Sequence, residues 1–318
     1  MIAAELRRAI LTAAGQPDTD PLLRPGPQPG SYISSLPFHL APQAATALAA
    51  RLTREPWIAD VSRTAPGYLT VTVTREALAG LAVRMTRAGP ACAVSDALAG
   101  RTVPGPARAQ DPAAAPDWPS ARAALAGQLT ARLAAAAGAT VTFPAERPVL
   151  QPPAATSPLP AAIAYAGRDA VWFALARMPP GGVPPEAATV ARHVLSNPAY
   201  AVQYAYAAAA AVLRWAASLG SGPAGFQPRL LMTPPELALL DALSWLPERV
   251  AMAARRGRPD EFAGYLERLA ARTIDTMSTT GFTTMLNISS ERLWLADAAR
   301  TGLAAGLGLI GVGAPERI

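Results

Sequence analysis

Lysine is absent from the 318 residues: all 28 basic side chains are arginine, against 22 acidic ones, for a formal net charge of +6. No Gly-x-x-x-x-Gly-Lys-Ser/Thr phosphate loop can therefore exist. Arginine hardly titrates below about pH 12, so a small excess of it keeps the chain positive to high pH, and the calculated pI of 10.1 exaggerates its basicity. Scarce lysine beside abundant Ala, Pro and Arg is read as a compositional bias of the genome. The single cysteine, Cys92, excludes an internal disulfide and a thiolate metal cluster. The two histidines, His39 and His193, lie 154 positions apart and cannot form a zinc site alone. Neither metal nor cofactor is implied. Long apolar runs are also missing. The first fourteen residues carry Glu5, Arg7 and Arg8 inside their apolar stretch, unlike a signal peptide. The Ala-rich run at 205–217 is too short to span a bilayer and contains Arg214. A cytoplasmic location is the default expectation.

What is present divides the chain into three. Residues 1–99 read as a small α+β unit. An amphipathic helix at 2–14 has Ile2, Leu6, Ile10 and Leu11 on one face, and a loop at 17–29 holds five prolines. A short apolar segment at 32–40 and a helix at 42–54 follow. At 68–74 apolar and threonine residues alternate as in a strand with one buried face. Residues 100–164 are rich in Ala and Pro, with five prolines between 104 and 119, and read as a linker. One helix at 119–137, with Leu125, Leu129 and Leu133 along one face, and a short strand at 139–143 interrupt it. Residues 165–318 read as an all-α bundle, with helices predicted at 185–196, 198–219, 234–246, 247–256, 260–277 and 290–309. Several open with proline, whose fixed φ suits the first helical turn. The predicted class is α+β: a small mixed domain joined by the Ala/Pro-rich region to a helical bundle.

Both ends resemble one family. Gly30-Ser31-Tyr32-Ile33-Ser34-Ser35 and the turn Ala65-Pro66-Gly67-Tyr68 are similar to the N-terminal domain of arginyl-tRNA synthetases. In that family the domain touches the outer corner of the tRNA, which makes Tyr32 a candidate contact. The segment 167–177, beginning Gly167-Arg168-Asp169, resembles the one that closes the family's catalytic domain. Asn197-Pro198-Ala199-Tyr200-Ala201-Val202-Gln203-Tyr204-Ala205-Tyr206-Ala207 is similar to the start of its anticodon-binding domain, named for an Asp-Ala-Leu-Arg motif. The ending, from Gly306 through Pro315-Glu316 to Ile318, resembles the family terminus. The several-hundred-residue catalytic domain that would separate the two ends is replaced by residues 100–164.

The resemblance implies binding of tRNA, with arginine-specific tRNA a candidate, or of an enzyme that uses aminoacyl-tRNA, without catalysis. The alternative is a protein-interaction or regulatory subunit that has lost RNA binding. Tyr200, Gln203 and Tyr204 share a helix face by three-and-four spacing. They and Tyr206 either pack against neighbouring helices or line an anticodon surface, and Tyr204, mid-helix among Ala, Val and Gln, is expected to pack. Arg255, Arg256 and Arg258 form the densest basic cluster, suited to gripping phosphate or simply to complementing a helix end. Arg268, Arg272, Arg292 and Arg300 are further phosphate candidates. Residues 197–318 contain 11 Arg and 10 acids, a balance of only +1. At 273–278, where the family carries aromatic residues and His, the chain reads Thr-Ile-Asp-Thr-Met-Ser. That departure predicts weak, steeply salt-sensitive RNA binding with few base-stacking groups. Cys92 and His193 have no partners in sequence for nucleophilic chemistry.

A class I synthetase stabilises the phosphate charge of its adenylate-forming transition state with a His-Ile-Gly-His type motif and a Lys-Met-Ser-Lys type loop. With no lysine and no paired histidines, the protein given arginine, ATP and tRNA should release no pyrophosphate above background. Robust arginine-dependent exchange would overturn this expectation.

Overall fold

Along residues 68–73, Leu69, Val71 and Val73 are buried while Tyr68, Thr70 and Thr72 are partly exposed, as a one-sided sheet requires. The computed structural model of the chain describes residues 2–16, 19–64, 67–106, 111–143, 158–184, 186–284 and 288–318. Half of the Ala65-Pro66-Gly67-Tyr68 turn and parts of the 100–164 segment lie outside them. The N-terminal unit has four antiparallel strands, β1 (Arg24–Pro25), β2 (Ser31–Ser34), β3 (Ile58–Thr64) and β4 (Tyr68–Val73), in the order β1-β2-β4-β3. Helices α1 (Ile2–Ala14) and α2 (Pro42–Leu52) contribute Ile2, Leu6, Ile10, Leu48 and Leu52 to the same core. Strand β3 escaped the sequence reading because only Ile58 of its seven residues is buried. An edge strand with two wet faces shows no alternation.

Two short helices, α3 (Arg75–Ala79) and α4 (Leu81–Ala88), leave the sheet. Strands β5 (Thr102–Pro104) and β6 (Thr140–Thr142) pair in parallel on either side of α5 (Trp118–Ala136). The linker expectation is corrected here. Leu125, Leu129 and Leu133 of α5 are each 1% exposed, within a core that runs from Ile2 to Val312. The helix is part of the body of the protein, because its leucine face is covered on folding.

The remaining helices are α6 (Leu159–Ala166), α7 (Arg168–Arg177), α8 (Ala187–Val190), α9 (Pro198–Ser218), α10 (Pro234–Ser244), α11 (Leu246–Arg256), α12 (Pro259–Met277), α13 (Thr280–Thr283) and α14 (Ser290–Ile310). The helix expected at 185–196 shrinks to α8, since Asn197 Nδ2 donates to the carbonyls of Val190 and Arg192, both at 2.7 Å, and folds that segment back. Residue 185 lies outside the described residues.

Helix α14 sits at the centre, against α4, α9 and α12. By length and composition alone it could cross a membrane, yet 67% of its apolar window is buried inside the fold. Its glycines explain the packing. A Cβ on Gly306 would lie 2.4 Å from Leu266 Cδ2 of α12, and one on Gly302 would lie 3.0 Å from both Leu243 Cδ2 and Met85 Cε.

The N-terminal unit docks on α10 and α11 through polar contacts inside this packing. The Gly30 N–H donates to Asp241 Oδ1 at 2.9 Å, and the Tyr32 and Ser244 hydroxyls bond at 2.7 Å. The Tyr32 ring, wholly buried, lies 5.1 Å from that of Trp245. Tyr32 is thus corrected from a candidate RNA contact to a docking residue: burial leaves its ring unable to meet a ligand. Gly30 is required here because its φ is +77°, a left-handed backbone that other residues adopt at a cost.

Beside this junction Arg255 is ion-paired with Asp20, and Arg7 approaches Glu248 at 4.0 Å. Burial pushes the Glu248 carboxyl up to about 7, against the opposing pull of Arg7 and Arg255. In the unfolded chain it titrates near about 4.3, so the folded state holds the proton more tightly. The stability this confers is complete below the unfolded pKa and is lost as the pH rises through 7. Glu248→Gln should flatten the fall in melting temperature between pH 4.5 and 7.5. An unchanged slope would assign the pH dependence to another group.

Candidate nucleic-acid interface

Helix α9 carries aromatic residues at 200, 204 and 215 with alanines at 208 and 211 between them, all on one face by the 3.6-residue period. The Asn197 cap sets its start: Oδ1 accepts from the Ala199 N–H at 3.3 Å, and Pro198 opens the first turn. The same fold-back places His193 over Tyr200, with centroids 5.4 Å apart and planes 11° from parallel. Tyr200 and Tyr204 continue the stack at 5.9 Å. Trp215, one turn beyond Ala211, is 55% exposed.

From Tyr204 to Trp215 this face forms one wall of an open cleft of about 810 Å³. Ile274, Met277 and Ser278 at the end of α12, Phe282 of α13 and the tail residues Glu316, Arg317 and Ile318 form the others. The tail is pinned from below. Gln203 Nε2 donates to the Gly313 carbonyl at 3.1 Å, Arg214 Nη1 to that of Glu316 at 2.8 Å, and Arg168 Nη1 to that of Gly311 at 3.1 Å. The Gly313 N–H in turn donates to Asp169 Oδ2 at 2.8 Å. The cleft therefore has the Tyr204 and Trp215 rings on one side and Ile274, Met277 and the Phe282 ring on the other, with Arg214 and Arg317 among its lining residues. Such a surface suits a flat, partly apolar group on a charged backbone.

The sequence-level candidates separate sharply. Tyr200 and Gln203 lie at this face, and so does Tyr204, at 37% exposed, contrary to the expectation that it packs. Tyr206 points the other way, is 6% exposed, and bonds with Arg300. It is corrected to a core residue.

Most of the arginines expected to grip phosphate are already engaged. Beyond Arg255, Arg256 bonds Glu261 at 3.0 Å, and Arg258 makes two bonds to Asp260, at 2.8 and 2.6 Å. Arg292 Nε donates at 2.8 Å to Glu236, which is 1% exposed and also closes the capping box of α10 with Thr233. That contact makes Arg292 a structural tie between α14 and α10. Arg300 is held by Asp297 at 2.6 Å. Only Arg268 and Arg272, both exposed on α12, form no hydrogen bond or ion pair among the described residues.

Trp215, Arg214 and the tail escaped the sequence reading. For Trp215 the signal was available, since 200, 204, 208, 211 and 215 continue one helical stripe. His193 was set aside for want of a catalytic partner, whereas its role in the structure is to stack. At 273–278, where the resemblance implied the loss of aromatic groups, Ile274 and Met277 line the cleft. Cys92 is buried, which pushes its thiol up to about 12 and leaves it unreactive.

Comparison with known proteins bears on this same region. The family of DALR anticodon binding domains matches residues 202–318. The DALR match takes in most of α9, all of α12 and the tail, and so nearly the whole cleft. An arginine–tRNA ligase of Clavibacter sepedonicus is 40% identical over 136 residues, 41% of this chain and 24% of that protein. One from Paenarthrobacter aurescens is 38% identical over 164 residues, 49% of this chain and 30% of that protein. The chain thus spans less than a third of the length of these curated relatives. The solved arginyl-tRNA synthetase of Thermus thermophilus superposes with a TM-score of 0.69 at 14% identity, the alignment covering 100% of both chains, and shows a shared fold.

The orientation of α9 gives a direct test. Tyr204→Ala, at an exposed position, should change stability by no more than about 0.5 kcal/mol. Tyr206→Ala, in the core of the matched region, should cost about 3 kcal/mol or more. Chemical denaturation of the two variants separates them, and equal losses would mean that α9 is rotated from the orientation described.

Proposed function

We propose that the protein binds tRNA through unpaired nucleotides held in the cleft of its DALR domain, without ligase activity of its own. The observation that carries this reading is the pair of exposed rings on α9, Tyr204 and Trp215, facing Ile274 and Met277 across a cleft in a region that matches an anticodon-binding family. Each base stacked on an aromatic side chain contributes about 1 to 3 kcal/mol. That contribution needs no net charge, which suits a helical half whose acids and arginines nearly balance. The absence of lysine and of paired histidines supports a non-catalytic role. Nothing in the arrangement requires a cofactor or a metal. We assign the protein to the cytoplasm, where tRNA is charged and used.

A second reading, a protein-interaction subunit that has lost RNA binding, is favoured by one observation. Five of the arginines that could meet phosphate, Arg255, Arg256, Arg258, Arg292 and Arg300, are neutralised within the fold.

Filter binding with a tRNA anticodon stem-loop, across a range of salt, distinguishes the two. Binding should fall as salt rises and should weaken about tenfold in Tyr204→Ala and again in Trp215→Ala, the scale expected when one stacked base is lost. Binding that neither change affects would place the RNA elsewhere. No binding at low salt would favour the protein-interaction reading.

A further inference from the structure

A second cavity, of about 360 Å³, lies between the end of α7, the middle of α11 and the start of α12, away from the aromatic cleft. Three guanidinium groups line it, those of Arg177, Arg249 and Arg268, together with the carboxylates of Asp260 and Glu261. Their charges do not cancel evenly. Arg177 is ion-paired with Glu267. Asp260 gives both oxygens to Arg258, and Glu261 is taken by Arg256 at 3.0 Å and approached by Arg258 at 4.0 Å. Among the described residues, two cations, Arg249 and Arg268, are left without an ion pair.

Arg249 is an unusual arginine. Its guanidinium lies 5.3 Å from the ring centre of Trp245, and its Nε is buried with no hydrogen-bond partner. Its one polar contact among the described residues is Nη1 to Met252 Sδ at 3.9 Å. Burial, with the like charges of Arg268 and Arg256 behind it, depresses its pKa, while Tyr265 and Glu261 pull the other way. A guanidinium carries five donors and stays protonated, and a charged donor kept from water without an acceptor is costly. The exposed Arg268 faces the same space. Two unpartnered guanidinium forks beside one small cavity match the geometry of a tetrahedral oxyanion, which accepts bidentate bonds from each.

We propose that this cavity is a binding site for a phosphate group, held between Arg249 and Arg268. The phosphate belongs either to a nucleic-acid backbone or to a small phosphorylated molecule. The site stands on its own observations and does not depend on RNA occupying the aromatic cleft.

The test is calorimetric titration of the full chain with inorganic phosphate, at ionic strength held constant with chloride, alongside Arg268→Gln and Arg249→Gln. Arg268 is exposed and unpaired, so its variant should fold normally even if Arg249→Gln, which unstacks Trp245, does not. Phosphate should bind saturably to the native protein and about tenfold or more weakly to Arg268→Gln, as expected for loss of a charged hydrogen-bonding partner. A parallel arm measures a single-stranded oligonucleotide against native protein and Arg268→Gln. Weakening of both ligands would assign the phosphate to nucleic acid. Weakening of inorganic phosphate alone would assign it to a small molecule. Phosphate heats no different from chloride, or binding that Arg268→Gln leaves unchanged, would overturn the site whatever the Tyr204 and Trp215 variants show.

Discussion

The fold depends on how closely other helices approach α14. Two glycines one turn apart, Gly302 and Gly306, remove the side chains that would hold α4, α10 and α12 away, and Leu266, Leu243 and Met85 fill the space instead. Because α4 belongs to the N-terminal unit and α10 and α12 to the bundle, a single helix face joins the two into one core. In an interior packed near crystal density, even a methyl group at Gly306 would have to displace Leu266. The polar pairs Gly30–Asp241 and Tyr32–Ser244 then fix the orientation of an association that apolar packing alone would leave free to slide.

Much of this was legible in the sequence, for identifiable reasons. Prolines at the first turns located α9, α10 and α11, and the leucine spacing located α5. Strand β4 declared itself by alternation. What escaped is equally instructive. Period 3.6 put Tyr200, Gln203 and Tyr204 on one face of α9 but did not say which face met water, since alanine surrounds that helix on nearly every side. Tyr204, expected to pack, is exposed, and Tyr206, one of the candidate contacts, lies in the core. Arginine pairing was illegible for a different reason. The partners of Arg255 and Arg292 lie 235 and 56 positions away, and no local pattern announces them.

An all-arginine complement of cations divides in the structure into two kinds. Some are spent on internal order: Arg292 on a buried glutamate, Arg214 and Arg168 on the carbonyls of the tail. Others remain uncommitted, and Arg268 and Arg272 share the outer face of α12, whose end reaches the aromatic cleft. The near-neutral charge of the bundle thus conceals a local excess. Recognition through stacking on one side of α12 and through guanidinium groups on the other is compatible with a protein that presents no broad basic patch.

The docking of residues 20–32 onto α10 and α11 sets an order of events during synthesis. Asp20, Gly30 and Tyr32 meet partners that lie 211 to 235 positions later in the chain. At about 5 to 20 residues per second of translation, the first unit waits roughly 10 to 50 s for its partner surface. Throughout that interval the Tyr32 face and the inner sides of α1 and α4 are uncovered on the ribosome. The nascent N-terminal unit is consequently the stage at which this protein most needs a chaperone, and the emergence of α14, which covers α4, is the moment that need ends.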